Sequence, residues 1–84
     1  MTHQVVWMPR AARALAVIWN AAYDRELIAH AIDSIHTELA EDAHEKGESR
    51  DDGFRIFFAT PLAVLFWCNE RATQVSIANV WTTR

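Results

Sequence analysis

Residues 61–69 read PLAVLFWCN, and this stretch decides the fold of the chain. In a β-strand, successive side chains point to opposite faces of the sheet. One face of this strand would carry Leu62, Val64, Phe66 and Cys68, and the other would carry Ala63, Leu65 and Trp67. Because both sets are apolar, the stretch predicts a central strand that needs a cover on each face.

Further β-prone segments lie on either side of this strand. Residues 54–60 precede it and end at Thr60-Pro61, while residues 69–72 form a polar turn that leads into residues 73–81. Sequential strands with short connections usually pair with their neighbours. The three segments therefore predict an antiparallel meander. A fourth strand is predicted at residues 4–8, ending at Pro9.

The region between the first strand and the meander has helical periodicity. A first helix is predicted over residues 10–22, with a buried face made of Ala11, Leu15, Ile18, Trp19 and Ala22. Asp24 is expected to cap a second helix that runs to about Ala43, with Tyr23 packing on Ile28. The buried stripe of this helix would be Leu27, Ile28, Ala31, Ile32, Ile35 and Leu39.

The elements follow the order β-α-α-β-β-β, which predicts an α+β fold with a helical hairpin on one face of a small antiparallel sheet. Residues 44–53, HEKGESRDDG, are expected to form a loop. The whole chain, residues 1–84, is expected to be one domain. Because the hairpin covers one face only, the face that carries Trp67 is left for a partner or for solvent.

Composition narrows the class of protein. The chain has 84 residues, of which 51% are hydrophobic and 23% charged, as expected for one globular core. A net charge of −3 argues against strong nonspecific binding of nucleic acid. The single cysteine cannot form an internal disulfide, and neither a membrane span nor a signal peptide is recognisable. We therefore expect a cytoplasmic protein without a membrane partner.

Motifs for catalysis are scarce. The four histidines fit neither HExxH nor zinc-finger spacing, so the sequence predicts no metal site and no cofactor. Cys68 stands in an apolar strand, where a thiol behaves as a core residue rather than as a nucleophile. Arg50, Arg55 and Arg84 could converge at the sheet and bind phosphate or carboxylate groups. Ordinary ion pairing with the acidic residues of the chain is an equally good explanation of them.

Five short motifs follow one another along the chain: IxxEL at residues 35–39, KGESR at 46–50, GFR at 53–55, PLAVLF at 61–66 and VSIANVW at 75–81. In this order they resemble the RelE/ParE superfamily of toxin-antitoxin toxins. The resemblance implies a bacterial cytoplasmic protein that is encoded with an antitoxin, a segment of which masks the toxin's sheet. The surplus apolar face of the predicted sheet agrees with this expectation.

The resemblance also implies a site. The ribonuclease branch of the family cuts messenger RNA on the ribosome with basic residues of the second and third strands and of the C-terminus. By this resemblance, Arg55 and Arg84 would be catalytic ligands of the scissile phosphate, and Arg50 would bind substrate from the loop. Phe57 stands where that branch has another basic residue, and Pro61 begins the strand where an arginine is expected. The gyrase-poisoning branch stays open.

The sequence thus predicts the RelE/ParE-like toxin component of a bacterial type II toxin-antitoxin system, with messenger-RNA cleavage by an incomplete basic site as one activity. The alternative is a catalytically inactive, toxin-derived protein-interaction module. The expected partner is a cognate antitoxin, with messenger RNA, the ribosome and a second copy of the chain as further options. The sheet face that carries Trp67, or the edge that carries Trp81, is predicted to bind the protein partner, because tryptophan is enriched at binding hot spots.

Overall fold

The computed structural model describes residues 2–43, 48–49, 53–69 and 71–83. The elements are β1 (Gln4–Trp7), α1 (Pro9–Ala21), α2 (Arg25–Asp42), β2 (Glu48–Ser49), β3 (Phe54–Ala59), β4 (Leu62–Asn69) and β5 (Gln74–Thr82). The two helices pack on one face of the sheet. The predicted α+β fold and the order of its main elements are confirmed.

The strands are arranged in the order β1-β5-β4-β3-β2. The predicted antiparallel meander is present as β3, β4 and β5, but β1 pairs in parallel with β5, so the sheet is mixed. A parallel pair needs a crossover connection, and the helical hairpin is the first part of the long connection between β1 and β5. The short strand β2 was not expected. It lies within the predicted loop and pairs with Arg55 and Ile56 of β3.

The first helix starts at Pro9, which suits a first turn because that turn leaves its N–H groups unpaired. Ala11 is fully buried, and Leu15 and Ile18 pack against the core as the periodicity predicts. Trp19 was predicted to be buried and is 37% exposed. Its ring is flanked by Arg25, whose guanidinium carbon lies 5.8 Å from the ring centroid and whose Nε donates to the Trp19 carbonyl over 3.0 Å.

The second helix begins as predicted, because the Asp24 carboxylate accepts a hydrogen bond of 3.2 Å from the Leu27 backbone N–H. The buried stripe is confirmed for the four residues Ile28, Ala31, Ile35 and Leu39. Leu27 is 46% exposed, however, and Tyr23 is fully exposed. The expectation that Tyr23 packs on Ile28 is therefore wrong. The turn directs the tyrosine away from the hairpin.

Two hydrogen bonds attach β1 and the residue before it to α2. The His3 backbone N–H donates to the Ala40 carbonyl over 2.6 Å, and the Trp7 indole N–H donates to Nε2 of His36 over 2.9 Å. The rings of Trp7 and His36 are also stacked, with centroids 6.0 Å apart. These contacts fix both ends of the first strand beneath the second helix.

The core lies between the helices and one face of the sheet. From β4 it contains Leu62, Val64 and Phe66, all fully buried, as the alternation predicts. On β5, Ile77 is opposite Phe66 while Asn79 is opposite Leu65, so a β-bulge separates them. A bulge adds one residue and shifts the alternation of the strand. This shift brings Val80 onto the core face, and the Asn79 side chain accepts a hydrogen bond of 2.9 Å from the Val80 N–H.

Candidate functional site

The face of the sheet that points away from the helices carries the surplus apolar residues. Residues opposite one another in a β-ladder point to the same face. Phe54 is opposite Trp67, and Ile56 is opposite Leu65. We call this surface the outer sheet face. Its members from the three meander strands are Phe54, Ile56, Phe58, Ala63, Leu65, Trp67, Asn69, Gln74, Ser76, Asn79 and Trp81.

Three residues form a direct cross-strand row on the outer sheet face. Ala63 of β4 has Phe58 of β3 on one side and Trp81 of β5 on the other. Ala63 is completely buried although no helix covers it, whereas Phe58 remains 51% exposed. The small Ala63 side chain thus lies at the centre of the row, with one aromatic side chain on each side of it.

Trp67 lies further along β4 and is 42% exposed. Gly53, directly before β3, has a φ of +81°, a left-handed conformation that favours glycine. A Cβ placed on Gly53 would lie 3.7 Å from Cδ1 of Trp67, so the indole ring packs along the glycine backbone. The glycine before β3 and the indole ring of Trp67 are therefore packed against each other.

The outer sheet face carries no charged side chain on the described residues of β1, β3, β4 and β5. This is unusual in a chain of which 23% of the residues are charged. The core of a protein–protein interface is typically depleted of charge and enriched in aromatic residues. Chemically, the surface can bury apolar side chains of a partner, and it offers nothing on these strands to neutralise a phosphate.

No protein-family model matches the chain, and no curated protein matches it significantly. Several solved structures, however, match the chain over nearly its whole length. The toxin-antitoxin complex RelBE2 from Mycobacterium tuberculosis superposes with a TM-score of 0.77 at 16% identity, covering 98% of this chain and 92% of that chain. The chromosomal ParDE system from Pseudomonas aeruginosa gives a TM-score of 0.69 at 18% identity, covering 99% and 98%. A metal-bound toxin from Helicobacter pylori gives 0.65 at 14% identity, covering 98% and 94%.

The chain has the fold of RelE/ParE-type toxins. The fold that the motifs led us to expect is thereby confirmed, and the structural similarity extends over nearly the whole chain. At 14 to 18% identity the similarity concerns the path of the backbone. The residues that act on this RelE/ParE-type scaffold must be sought in the chain itself.

Of the three arginines predicted from the RelE/ParE resemblance, one lies within the described residues. Arg55 is opposite Phe66 in the β3–β4 ladder, so it lies on the helix-covered face and is half-buried. Arg50 and Arg84 lie outside the described residues. The structure therefore does not show the three guanidinium groups at one site, and their catalytic and substrate-binding roles stay predictions. Strand alternation alone would have predicted the face of the sheet on which Arg55 lies. Its neighbours Phe54 and Ile56 both point to the outer sheet face, so Arg55 must point to the opposite face.

The tryptophans predicted to bind a partner both lie on the outer sheet face, as the register of the ladders shows. Trp81 lies on β5, which has a neighbouring strand on both sides along only part of its length. Residues 74–77 of β5 lie between β1 and β4, whereas residues 78–82 have only β4 as a described neighbour. Trp81 is half-buried. The partner-binding role of the two residues stays a prediction.

The described part of the RelE/ParE-type scaffold has neither a metal-binding cluster nor a helix that could span a membrane. Within residues 2–43, 48–49, 53–69 and 71–83, no three His, Cys, Asp or Glu side chains are grouped closely enough to hold a metal ion. Neither α1 nor α2 is long and apolar enough to cross a membrane.

Proposed function

We propose that the chain is the toxin component of a bacterial type II toxin-antitoxin pair in the cytoplasm, and that its outer sheet face binds an apolar segment of the antitoxin. The single observation that carries this proposal is the aromatic surface around Phe58, Trp67 and Trp81, which has no charged side chain on the described residues of β1, β3, β4 and β5. The RelE/ParE-type fold supports it. Two of the similar structures are a toxin-antitoxin complex and a toxin-antitoxin system.

The physical basis is the exposure of large aromatic side chains on a rigid strand pair. Phe58 and Trp67 are 51% and 42% exposed. Burying apolar surface contributes about 25 cal/mol per Å². Since both residues sit on regular strands, they lose little conformational freedom when a partner covers them. Such preorganised aromatic residues are typical binding hot spots, each worth about 2 kcal/mol or more.

A second candidate function is the catalytically inactive, toxin-derived interaction module. Two observations favour it over an active ribonuclease. The outer sheet face carries no cation on the described strands, and Arg55 lies on the opposite, helix-covered face. Catalysis on RNA requires groups that stabilise the charge of the pentacoordinate phosphate. The module would use the same surface to bind its protein partner.

The binding proposal is tested by co-expression with the product of a small neighbouring reading frame. The wild-type chain should co-purify with that product, and Trp67→Lys should weaken the complex at least thirty-fold, about 2 kcal/mol, as for a binding hot spot. Thr37→Lys is the matched control. It adds the same charge on the exposed side of α2 and should bind as the wild type does. Equal loss in both variants, or loss in neither, would remove the outer sheet face as the binding surface.

The two candidate functions are separated by inducing the chain without its partner. An active toxin should arrest growth and translation, whereas the inactive module should leave both unchanged. If the chain cuts RNA, Arg55→Ala should slow cleavage by roughly 100- to 1,000-fold, the scale of losing one donor that stabilises the transition state. A variant that cuts RNA as well as the wild type would exclude Arg55 from the site. A variant that unfolds would show that Arg55 has a structural role.

A further inference from the structure

A second unpartnered surface lies on the helical side of the molecule, on α1. This helix of 13 residues contains only three polar residues, Arg10, Arg13 and Asn20, and Ala11 alone is fully buried. Val17 is 68% exposed and Trp19 is 37% exposed. A helix that is apolar on nearly all sides is normally covered on nearly all sides. In the single chain, α1 is covered on one side only.

The exposed side of α1 is shaped as a ridge between two apolar grooves. One groove, of about 340 Å³, lies between α1, β1 and α2, and its walls include Trp7, Trp19 and Ile32. The other, of about 530 Å³, lies beside the end of α1 and includes Ile18, Leu27 and Pro61. From the helical period, the crest between the grooves is formed by Arg13, Ala16, Val17 and Asn20.

A ridge flanked by grooves is complementary to a copy of itself. Helices pack by placing the ridges of one into the grooves of the other. In an isologous dimer, the same patch serves on both subunits. Ala16 also keeps the crest low, so two α1 helices could approach closely. The shape therefore favours a second copy of this chain as the occupant.

The charges give the direction of packing. The N-terminal half of α1 carries Arg10 and Arg13, both exposed, and the helix has no acidic residue. Beyond its C-terminus stand the exposed carboxylates of Asp24 and Glu26, and its last turn has no basic residue. Arg25 stands between these acids, but its guanidinium is held against Trp19. The helix dipole has the same polarity, positive at the N-terminus and negative at the C-terminus.

We propose that two copies of the chain form a dimer through antiparallel packing of their α1 helices, with the twofold axis near Ala16 and Val17. In this register, Arg10 of one copy lies opposite Asp24 of the other, and Arg13 lies opposite Asn20. Parallel packing would instead bring four arginines together. The proposal rests on α1 alone and is independent of the proposed function, because the outer sheet face lies on the other side of the molecule.

The size of the helix sets the expected affinity. A helix of this length is about 20 Å long, so the contact falls at the lower end of specific interfaces, roughly 1,200 Å² in total. We therefore expect dissociation in the micromolar range. The dimer should be concentration-dependent, and salt should weaken it, since the pairs at its ends are exposed.

Sedimentation analysis of the purified chain over a micromolar concentration series tests the proposal. The wild type should be a dimer at the upper end, and Val17→Glu should weaken dimerisation at least tenfold, because it places two carboxylates near the twofold axis. Thr37→Glu, on the exposed side of α2, is the matched control and should dimerise as the wild type does. Circular dichroism confirms that each variant is folded. A wild type that stays monomeric, or a Val17→Glu variant that still dimerises, would overturn the proposal.

Cross-linking tests the register independently of any loss of affinity. In a Cys68→Ser background, Ala16→Cys should give a disulfide-linked dimer on mild oxidation, since residues at a twofold axis meet their own copies within reach of a disulfide. Arg10→Cys should not, because antiparallel packing keeps the two copies of residue 10 at opposite ends. Efficient cross-linking of Arg10→Cys would show parallel packing and refute the proposal.

Two further results would assign the surfaces differently. If Trp67→Lys abolishes the dimer while Val17→Glu does not, the outer sheet face is the dimer interface and α1 is not. If Val17→Glu loses the antitoxin and the wild-type chain alone is monomeric, α1 binds the antitoxin instead of a second copy. Either result would overturn the proposed dimer.

Discussion

The two faces of β4 have nearly the same chemistry and opposite surroundings. On the helix-covered face, Leu62, Val64 and Phe66 are fully buried. On the outer sheet face, Ala63 is buried by its neighbours, but Trp67 is 42% exposed. The difference is that the hairpin of α1 and α2 covers only one side of the sheet. Apolar sequence on both faces of a strand therefore shows that two covers are needed and does not show which one the chain supplies.

Energetically, the two faces contribute to different equilibria. Apolar area that the chain itself buries contributes to folding, whereas apolar area that stays exposed can contribute only to association. Substitutions on the helix-covered face should lower the free energy of unfolding. Substitutions of the exposed residues on the outer sheet face should change binding and should lower that free energy much less.

The largest expected effect follows from Phe66→Ala. Phe66 is the largest fully buried side chain, and its removal leaves a cavity between the sheet and the helices. We expect a loss of about 3 to 5 kcal/mol in the free energy of unfolding, measured by urea denaturation. For a chain of this size that is a large part of the total, roughly 4 to 12 kcal/mol.

Phe58→Ala is the matched control, since it makes the same change on the other face of the sheet. Phe58 is 51% exposed, so the cost should be about 1 kcal/mol or less. Similar losses for the two variants would contradict the distinction between a face that folds the chain and a face that binds a partner.

A medium effect is expected for Asp24→Ala, which tests how much the N-cap of α2 stabilises the helical hairpin that covers the sheet. The Asp24 side chain accepts a hydrogen bond from the Leu27 N–H at the start of α2. Loss of such a cap typically costs about 1 kcal/mol. Urea denaturation should show this loss, and Asp24→Asn should recover most of it because asparagine also caps well. An alanine variant as stable as the wild type would show that packing alone fixes the start of α2.

The smallest effect is expected for His36→Ala, which removes the acceptor of the Trp7 indole hydrogen bond. A hydrogen bond contributes about 0.5 to 1.5 kcal/mol net, and because this one lies near the surface we expect a loss of about 0.5 kcal/mol, at the lower end of that range. Tryptophan fluorescence should change in the folded state, because the stacked ring of His36 is lost. His36→Gln retains an acceptor and should lose less stability. No change in either measurement would mean that pairing with β5 and the backbone bond from His3 to Ala40 hold β1 without help from His36.

Local patterns predicted the secondary structure well, with specific failures. The Asp24 cap, the buried stripe from Ile28 to Leu39 and the alternation along β4 were all recognisable, because each depends on residues a few positions apart. Tyr23 was misjudged because its direction depends on the turn that joins the helices. The parallel pairing of β1 with β5 joins residues about 70 positions apart, and no local pattern encodes it.

The candidate site was predictable to a different degree for each residue. Trp67 was assigned to the face away from the helices by alternation alone, and the ladder register agrees. The same rule applied to residues 54–56 would have assigned Arg55 to the helix-covered side. The bulge near Ala78 could not be foreseen, because it arises where β5 adjusts to β4, and it decides that Val80 joins the core.

By itself, the sequence determined the two helices, the four longer strands, their order and the presence of surplus apolar surface, because hydrophobic periodicity and capping are local properties of the chain. Only the tertiary structure decided which surfaces stay uncovered. The hairpin packs on one face of the sheet, so the outer sheet face and the outer side of α1 remain exposed. The physical reason is that burial depends on which distant element fills the space above a residue, and that choice is made by the packing of the whole chain.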